Sequence, residues 1–292
     1  MTGLSPCRRG LFALTAVFVS CFAASVVVGD GRGERIVSVG GSVTEIIYAL
    51  GQQDRLVGRD TTSVYPVQVN TLPDVGYMRR LSPEGLLSVN PDMIIAIEGA
   101  GPDETIDVLD AAQIRFETIP EGYTRAAVGE KIRAVGAALG EDEAADTLAE
   151  KVDAEIASAV DAAQATAGNQ RVLFVLSAKG SKIMAGGTGT AADGIISMAG
   201  GVNAIDQFEG YKTLTDEAVT RAAPDVILMM KSRGAPTGSD RDLYAHPAIS
   251  TTPAGRNKAL VRIDGVHLLG FGPRTGSAVT ELAAAIKAAG NS

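Results

Sequence analysis

The 292-residue chain carries 26 Lys and Arg against 34 Asp and Glu, a formal net charge of −8, with 46% apolar residues and no Trp. That much apolar material can bury one or two ordinary cores without disulfides, which excludes a largely disordered chain. The negative balance argues against a nucleic-acid partner.

At the start of the chain, Arg8-Arg9 precede an apolar run at residues 11–24, interrupted by Thr15, Ser20 and Cys21 and closed by Ala23-Ala24-Ser25. The pattern predicts a secretory signal peptide over residues 1–25, because the run is short for a spanning helix, which needs about 20 apolar residues. The paired arginines before Gly10-Leu11-Phe12 leave the export route open. Cys21 is a candidate lipid-attachment residue, although Phe18 stands where such sites usually carry a smaller aliphatic side chain. Cleavage near Ser25 would remove both cysteines, Cys7 and Cys21, and with them any disulfide, thiolate metal site or Cys nucleophile. Loss of Arg8 and Arg9 would take the formal charge from −8 to −10.

Residues 34–140 read as a first α/β lobe. Strands are predicted at Ile36–Val39, 56–58, Met93–Ile97 and Arg115–Ile119, alternating with helices at 42–50, after Ser82, and at Arg125–Leu139. Short apolar strands alternating with helices imply a mainly parallel sheet covered on both faces. The segment 141–168 changes character: EDEAADTLAEKVDAEIASAVDAAQATA, residues 141–167, has no Gly or Pro and aligns Ala145, Leu148, Val152, Ile156 and Val160 on one stripe. It predicts a linking helix up to about 40 Å long, its acidic start favoured by the helix dipole. A second α/β lobe follows over 169–292, with strands at 172–176, 183–185, 226–230 and 259–263 and helices at 191–199, Asp216–Ala222 and 274–289.

The stretch LSPEGLLSVNPDMIIA at residues 81–96 is echoed by LTDEAVTRAAPDVILM at 214–229. Each copy reads as a short helix opened by Ser82 or Thr215, then a Pro-Asp pair, then a buried strand. An offset of 133 residues (positions 81 and 214) is far longer than a solenoid period, so it implies two related lobes with a cleft between them. The expected fold is therefore α/β, two lobes each with a mainly parallel central sheet flanked by helices, joined by a single long spine helix. Such lobes can tilt by a few degrees but should not clap shut, so the cleft should be largely pre-formed.

Asp60-Thr61-Thr62-Ser63-Val64-Tyr65-Pro66 follows a predicted strand, where open α/β sheets place ligands. Pro66 pushes Tyr65 into extended backbone, presenting its phenol from an edge. A phenolate suits Fe(III), and Tyr is a known axial haem ligand, but taken alone a loop Tyr is more often a partly buried packing residue. His246 and His267 have no Cys to join them in a metal site; His246 could reach a cleft rim and His267 reads as structural. The Gly-Gly-Thr-Gly-Thr run at 186–190 could cradle an anion in a phosphate-using α/β enzyme, but it lacks a P-loop Lys and reads better as a turn opening a helix. No Ser–His–Asp or carboxylate pairing suggests a reaction, and a surface adhesion protein is a further possibility.

The runs GGSVTEIIYALG (40–51), DTTSVYP (60–66), GYMRRLSPEGLLSVNPD (76–92), LSAKG (176–180) and GFGPR (270–274) together resemble the periplasmic haem-binding proteins that feed haem ABC importers, a family with the two-lobed class III binding-protein fold. The resemblance spans nearly all of the mature chain, in the family's order. It implies a binding protein rather than an enzyme, with Tyr65 as axial iron ligand, although Val64 is an extra residue relative to some members. Some members hold a second stacked haem through a His at the LS-x-x-G motif; LSAKG lacks it, so a single haem is expected. Arg79 and Arg233 are the favoured propionate cations, with Arg80, Lys231 and Ser232 nearby in sequence, and Tyr77, Met78 and Met230 could touch the porphyrin. The resemblance also implies that Glu84 and Glu217, one per lobe, dock onto arginines of the membrane permease; each alone could be a favourable first-turn acid. A monomer in the periplasm is expected, with a siderophore or a cobalamin as the alternative cargo.

Overall fold

The computed structural model describes residues 1–3, 34–180, 182–231 and 240–290. Most of the expected signal peptide, with Cys7 and Cys21, and the candidates Ser232 and Arg233 lie outside the described residues. The first sheet comprises β1 (Ile36–Val39), β2 (Leu56–Arg59), β3 (Met93–Ile97) and β4 (Arg115–Ile119), all parallel in the order β2-β1-β3-β4. Its helices are α1 (Gly41–Ala49), α2 (Pro83–Leu87), α3 (Asp103–Ala111) and α4 (Arg125–Leu139). Alternation assigns the two faces: Ile36, Met93, Ile95 and Ile97 join α1 and α4 residues such as Ile46, Val128 and Ile132, whereas Val37, Val39, Ile94 and Ala96 join Leu86 and Leu109 of α2 and α3. Every residue of β3 is buried because helices cover both sides.

The spine helix α5 (Asp142–Ala165) has 24 residues, about 36 Å at 1.5 Å per residue. Its buried stripe is Ala145, Ala149, Val152, Ile156 and Ala163, whereas Leu148 and Val160 are only partly buried. The stripe is thus turned toward small residues relative to the sequence expectation. Close approach is the reason: a Cβ on Gly136 of α4 would stand 2.1 Å from Ala145 Cβ. On its other flank α5 packs against α12 (Thr275–Gly290).

The second lobe contains β5 (Arg171–Lys179), β6 (Lys182–Gly186), α6 (Ala191–Met198), β7 (Val202–Asn203), β8 (Tyr211–Leu214), α7 (Asp216–Ala222), β9 (Val226–Lys231), α8 (Asp240–Ala245), α9 (Pro247–Ser250), α10 (Pro253–Asn257), β10 (Leu260–Asp264) and α11 (Gly265–Leu269). The strand order is β10-β9-β5-β6-β8, with β7 beside the start of β5. β10, β9, β5 and β7 are parallel, whereas β6 and β8 extend the sheet antiparallel. The antiparallel extension and strand β8 were not anticipated, because YKTL at 211–214 exposes three of its four residues and carries no apolar run.

The internal echo is structural. Ser82 Oγ accepts from Gly85 N at 3.1 Å, and Thr215 Oγ1 accepts from Ala218 N at 3.2 Å. Asp92 and Asp225 each accept from the backbone N–H that opens their lobe's first strand, Arg35 at 2.8 Å and Arg171 at 2.9 Å. The residues before the two prolines, Asn90 and Ala223, both take left-handed backbone, φ 47° and 41°. Each Pro-Asp pair therefore locks a helix–strand connection onto the lobe's founding strand.

Candidate ligand-binding cleft

Tyr65 is presented by a loop whose polar letters are buried rather than solvated. Asp60, fully buried, accepts from Gly40 N (3.0 Å), Thr62 N (3.0 Å), Thr62 Oγ1 (2.7 Å) and Ser63 Oγ (2.7 Å). Ser63 Oγ lies 2.6 Å from Thr44 Oγ1, which donates to Ser38 Oγ at 2.7 Å. This network ties the loop to β1 and to the start of α1, since a carboxylate with four donors fixes the backbone on both sides of it. Beyond it Tyr65 is 46% exposed, and among the described residues no hydrogen bond engages its hydroxyl.

The ring of Tyr65 is covered from the opposite lobe. Arg274, in the GFGPR loop before α12, lies over it with Cζ 3.8 Å from the ring centroid, a cation–π stack. Arg274 also donates in a two-pronged pair to Glu45 of α1 (Nε to Oε2, 2.8 Å) and contacts His267 Nδ1 at 3.2 Å. Burial opposes the Arg274 charge, but hydrogen bonds and charge from Glu45, then Tyr65 and Asp264, raise its pKa overall. Burial and the Arg274 charge lower the His267 pKa, outweighing Glu281, Glu45 and Asp264. His267 is therefore neutral at neutral pH, accepting from Arg274 at Nδ1 and facing Glu281 with Nε2 at 3.3 Å.

A second tie between the lobes uses the same loop. Lys131 of α4, fully buried, donates to the Phe271 carbonyl at 3.2 Å and to Glu121. Desolvation lowers its pKa despite the Glu121 charge. Between the lobes a pocket of about 150 Å³ is lined by Gly40, Thr62, Met78 and Ile97 from the first and by Val266 and Leu269 from the second.

Tyr77 (42% exposed) and the exposed Arg79 and Arg80 follow β2 on the first lobe. The Arg79 charge reaches Tyr123 and also Tyr211 of the second lobe, both raised in pKa mainly by burial. Lys231, exposed, ends β9, and Met230 beside it is partly buried. Glu84 and Glu217 are exposed in the first turns of α2 and α7; backbone and Thr215 hydrogen bonds lower the Glu217 pKa. His246 is buried and caps α9, accepting from Ala248 N at 3.3 Å. In the glycine run, Thr190 Oγ1 accepts from Asp193 N at 3.1 Å and opens α6. The cation seated on Tyr65 is Arg274, which sequence reasoning quoted only within a motif; no local signal pairs positions 45, 65 and 274.

Solved structures share this architecture. The periplasmic heme-binding protein RhuT from Roseiflexus sp. RS-1, in apo form, superposes with a TM-score of 0.84 at 40% identity, covering 88% of this chain and 99% of that one. The periplasmic heme-binding protein BhuT, in complex with two hemes, superposes with a TM-score of 0.83 at 40% identity, covering 88% and 98%. An uncharacterized ABC transporter substrate-binding lipoprotein of Bacillus subtilis (strain 168), YvrC, is 27% identical over 256 residues, 87% of this chain and 80% of its own length. The profile described as periplasmic binding protein matches residues 36–266, from β1 into α11 and so across both lobes. The chain belongs to the periplasmic binding protein family.

Proposed function

We propose that this protein captures haem in the interlobe cleft and delivers it to the permease of an ABC importer. The observation that carries the reading is Tyr65, held on the cleft wall by a buried network with its hydroxyl unengaged by the described residues. A phenolate oxygen is a hard donor suited to ferric iron, and the 40%-identical neighbours are heme-binding proteins. In this reading Tyr65 supplies the axial ligand, Arg79, Lys231 and Arg233 attract the propionates, and Tyr77 packs on the porphyrin edge. Glu84 and Glu217 dock a monomer, one lobe each, on permease arginines. Residues 1–25 direct export to the periplasm; cleavage before Cys21 instead of near Ser25 would leave that cysteine as a lipid anchor. The lobes run over 34–140 and 169–292, with 141–168 as the link. Residues 176–180, LSAKG, offer no histidine, which favours one haem.

Titration of the mature protein with haemin tests this. A Soret band saturating at one equivalent, largely lost in Tyr65→Ala, is the expected result. Failure of the wild-type protein to take up haemin, with uptake of cyanocobalamin or a ferric siderophore instead, would assign another cargo.

A further inference from the structure

We propose that Arg274 is a positioning residue that makes iron capture by Tyr65 depend on the apposition of the two lobes. The inference rests on Tyr65 being the iron ligand. Arg274 belongs to the second lobe, yet two of its three partners belong to the first: the Tyr65 ring face at 3.8 Å and the Glu45 carboxylate. The third, His267 Nδ1, holds the guanidinium from behind. Glu45 is only 7% exposed, so its charge has little water to fall back on if Arg274 withdraws.

The guanidinium stacked on the ring at 3.8 Å fixes the ring plane, and with it the direction in which the Tyr65 oxygen points. Tilting the lobes apart would lift Arg274 off the ring and out of the Glu45 fork in one movement. The Tyr65 ring would then lose the contact that aims its oxygen at the moment of opening. Mechanical separation of the lobes, as by a permease bound at one surface of each, is thereby converted into a weaker grip on the cargo, with no group needing to enter the cleft.

The test compares Arg274→Gln, Arg274→Lys and Glu45→Gln with wild type, each loaded with haemin. Two quantities are read: the rate of haem loss to excess apomyoglobin, and the position of the visible phenolate-to-iron band at pH 7. Arg274→Gln should speed haem loss by about 10- to 100-fold, the usual cost of removing a group that orients a metal ligand, and shift the band. Arg274→Lys should restore part of both, and Glu45→Gln, which leaves the guanidinium unanchored, should also speed haem loss. Unchanged rates and band positions in all three, with the band still lost in Tyr65→Ala, would overturn the role of Arg274 and leave the haem reading intact. A wild-type protein that binds no haemin would overturn both.

Discussion

Asp60 offers the sharpest test of how the Tyr65 loop is built. Its carboxylate is fully buried and divides four donors evenly: Oδ1 takes Gly40 N and Ser63 Oγ, and Oδ2 takes Thr62 N and Thr62 Oγ1. Asp60→Asn keeps one oxygen but turns the other into a donor. Whichever way the amide sits, one backbone N–H, of Gly40 or of Thr62, faces an NH₂ and loses its acceptor, whereas the hydroxyl can rotate away. One unsatisfied buried donor costs about 1–3 kcal/mol, so a loss of about 2 kcal/mol is expected. Asp60→Ala strands both amides and should cost about 4 kcal/mol, near the upper range for single substitutions. Urea unfolding measures it: with a slope of about 3 kcal/mol/M, Asp60→Asn should lower the midpoint by about 0.7 M. Haem affinity should fall as well, because the same network aims Tyr65. A midpoint within 0.1 M of wild type for both variants would refute the claim that the loop is held by this carboxylate.

Lys131, whose folded pKa lies below its ordinary 10.5, retains its proton longer in the unfolded chain. Wild-type stability should therefore gain, relative to Lys131→Met, as pH climbs through the folded pKa toward 10.5, and thermal melts across the alkaline range would show it. The His267 pKa is likewise depressed, so its contribution is fully present above 6.5 and lost as pH falls through the folded value; His267→Asn should flatten the acid limb of a plot of melting temperature against pH. Ala223 holds left-handed backbone at φ 41°, a strain of about 1–2 kcal/mol for a residue with a Cβ against about 0.5–1 kcal/mol of added chain entropy for Gly. Ala223→Gly should thus leave stability equal or up to about 1.5 kcal/mol higher by denaturant unfolding, and a clear loss would contradict the conformation. Glu84→Ala with Glu217→Ala should leave haemin titration unchanged while reducing haem uptake through the reconstituted permease; unaltered uptake would remove the docking role.

Local information suffices for much of the fold. Apolar runs such as MIIAI at Met93–Ile97 announce strands buried on both faces, and the Gly- and Pro-free stretch from 141 announces the spine, because burial patterns repeat within a few residues. The echo of Ser-x-x-Gly and Thr-x-x-Ala caps with a Pro-Asp lock is legible for the same reason: cap, turn and strand are contiguous. DTTSVYP stands out in the sequence as a loop after a strand, yet its polar letters resemble those of any solvated turn, and only the fold buries Asp60 and Ser63 against Thr44 and Ser38. The contacts that no local pattern announces span long separations. Glu45 and Arg274 stand 229 positions apart and Lys131 and Phe271 140, and each pair meets because the spine sets one lobe against the other. Such pairings carry no periodicity and no composition bias. They depend on the lobe-to-lobe packing geometry, including the Ala-lined face that α5 turns toward α4, a preference for close approach that a reading by hydrophobicity assigned to larger side chains.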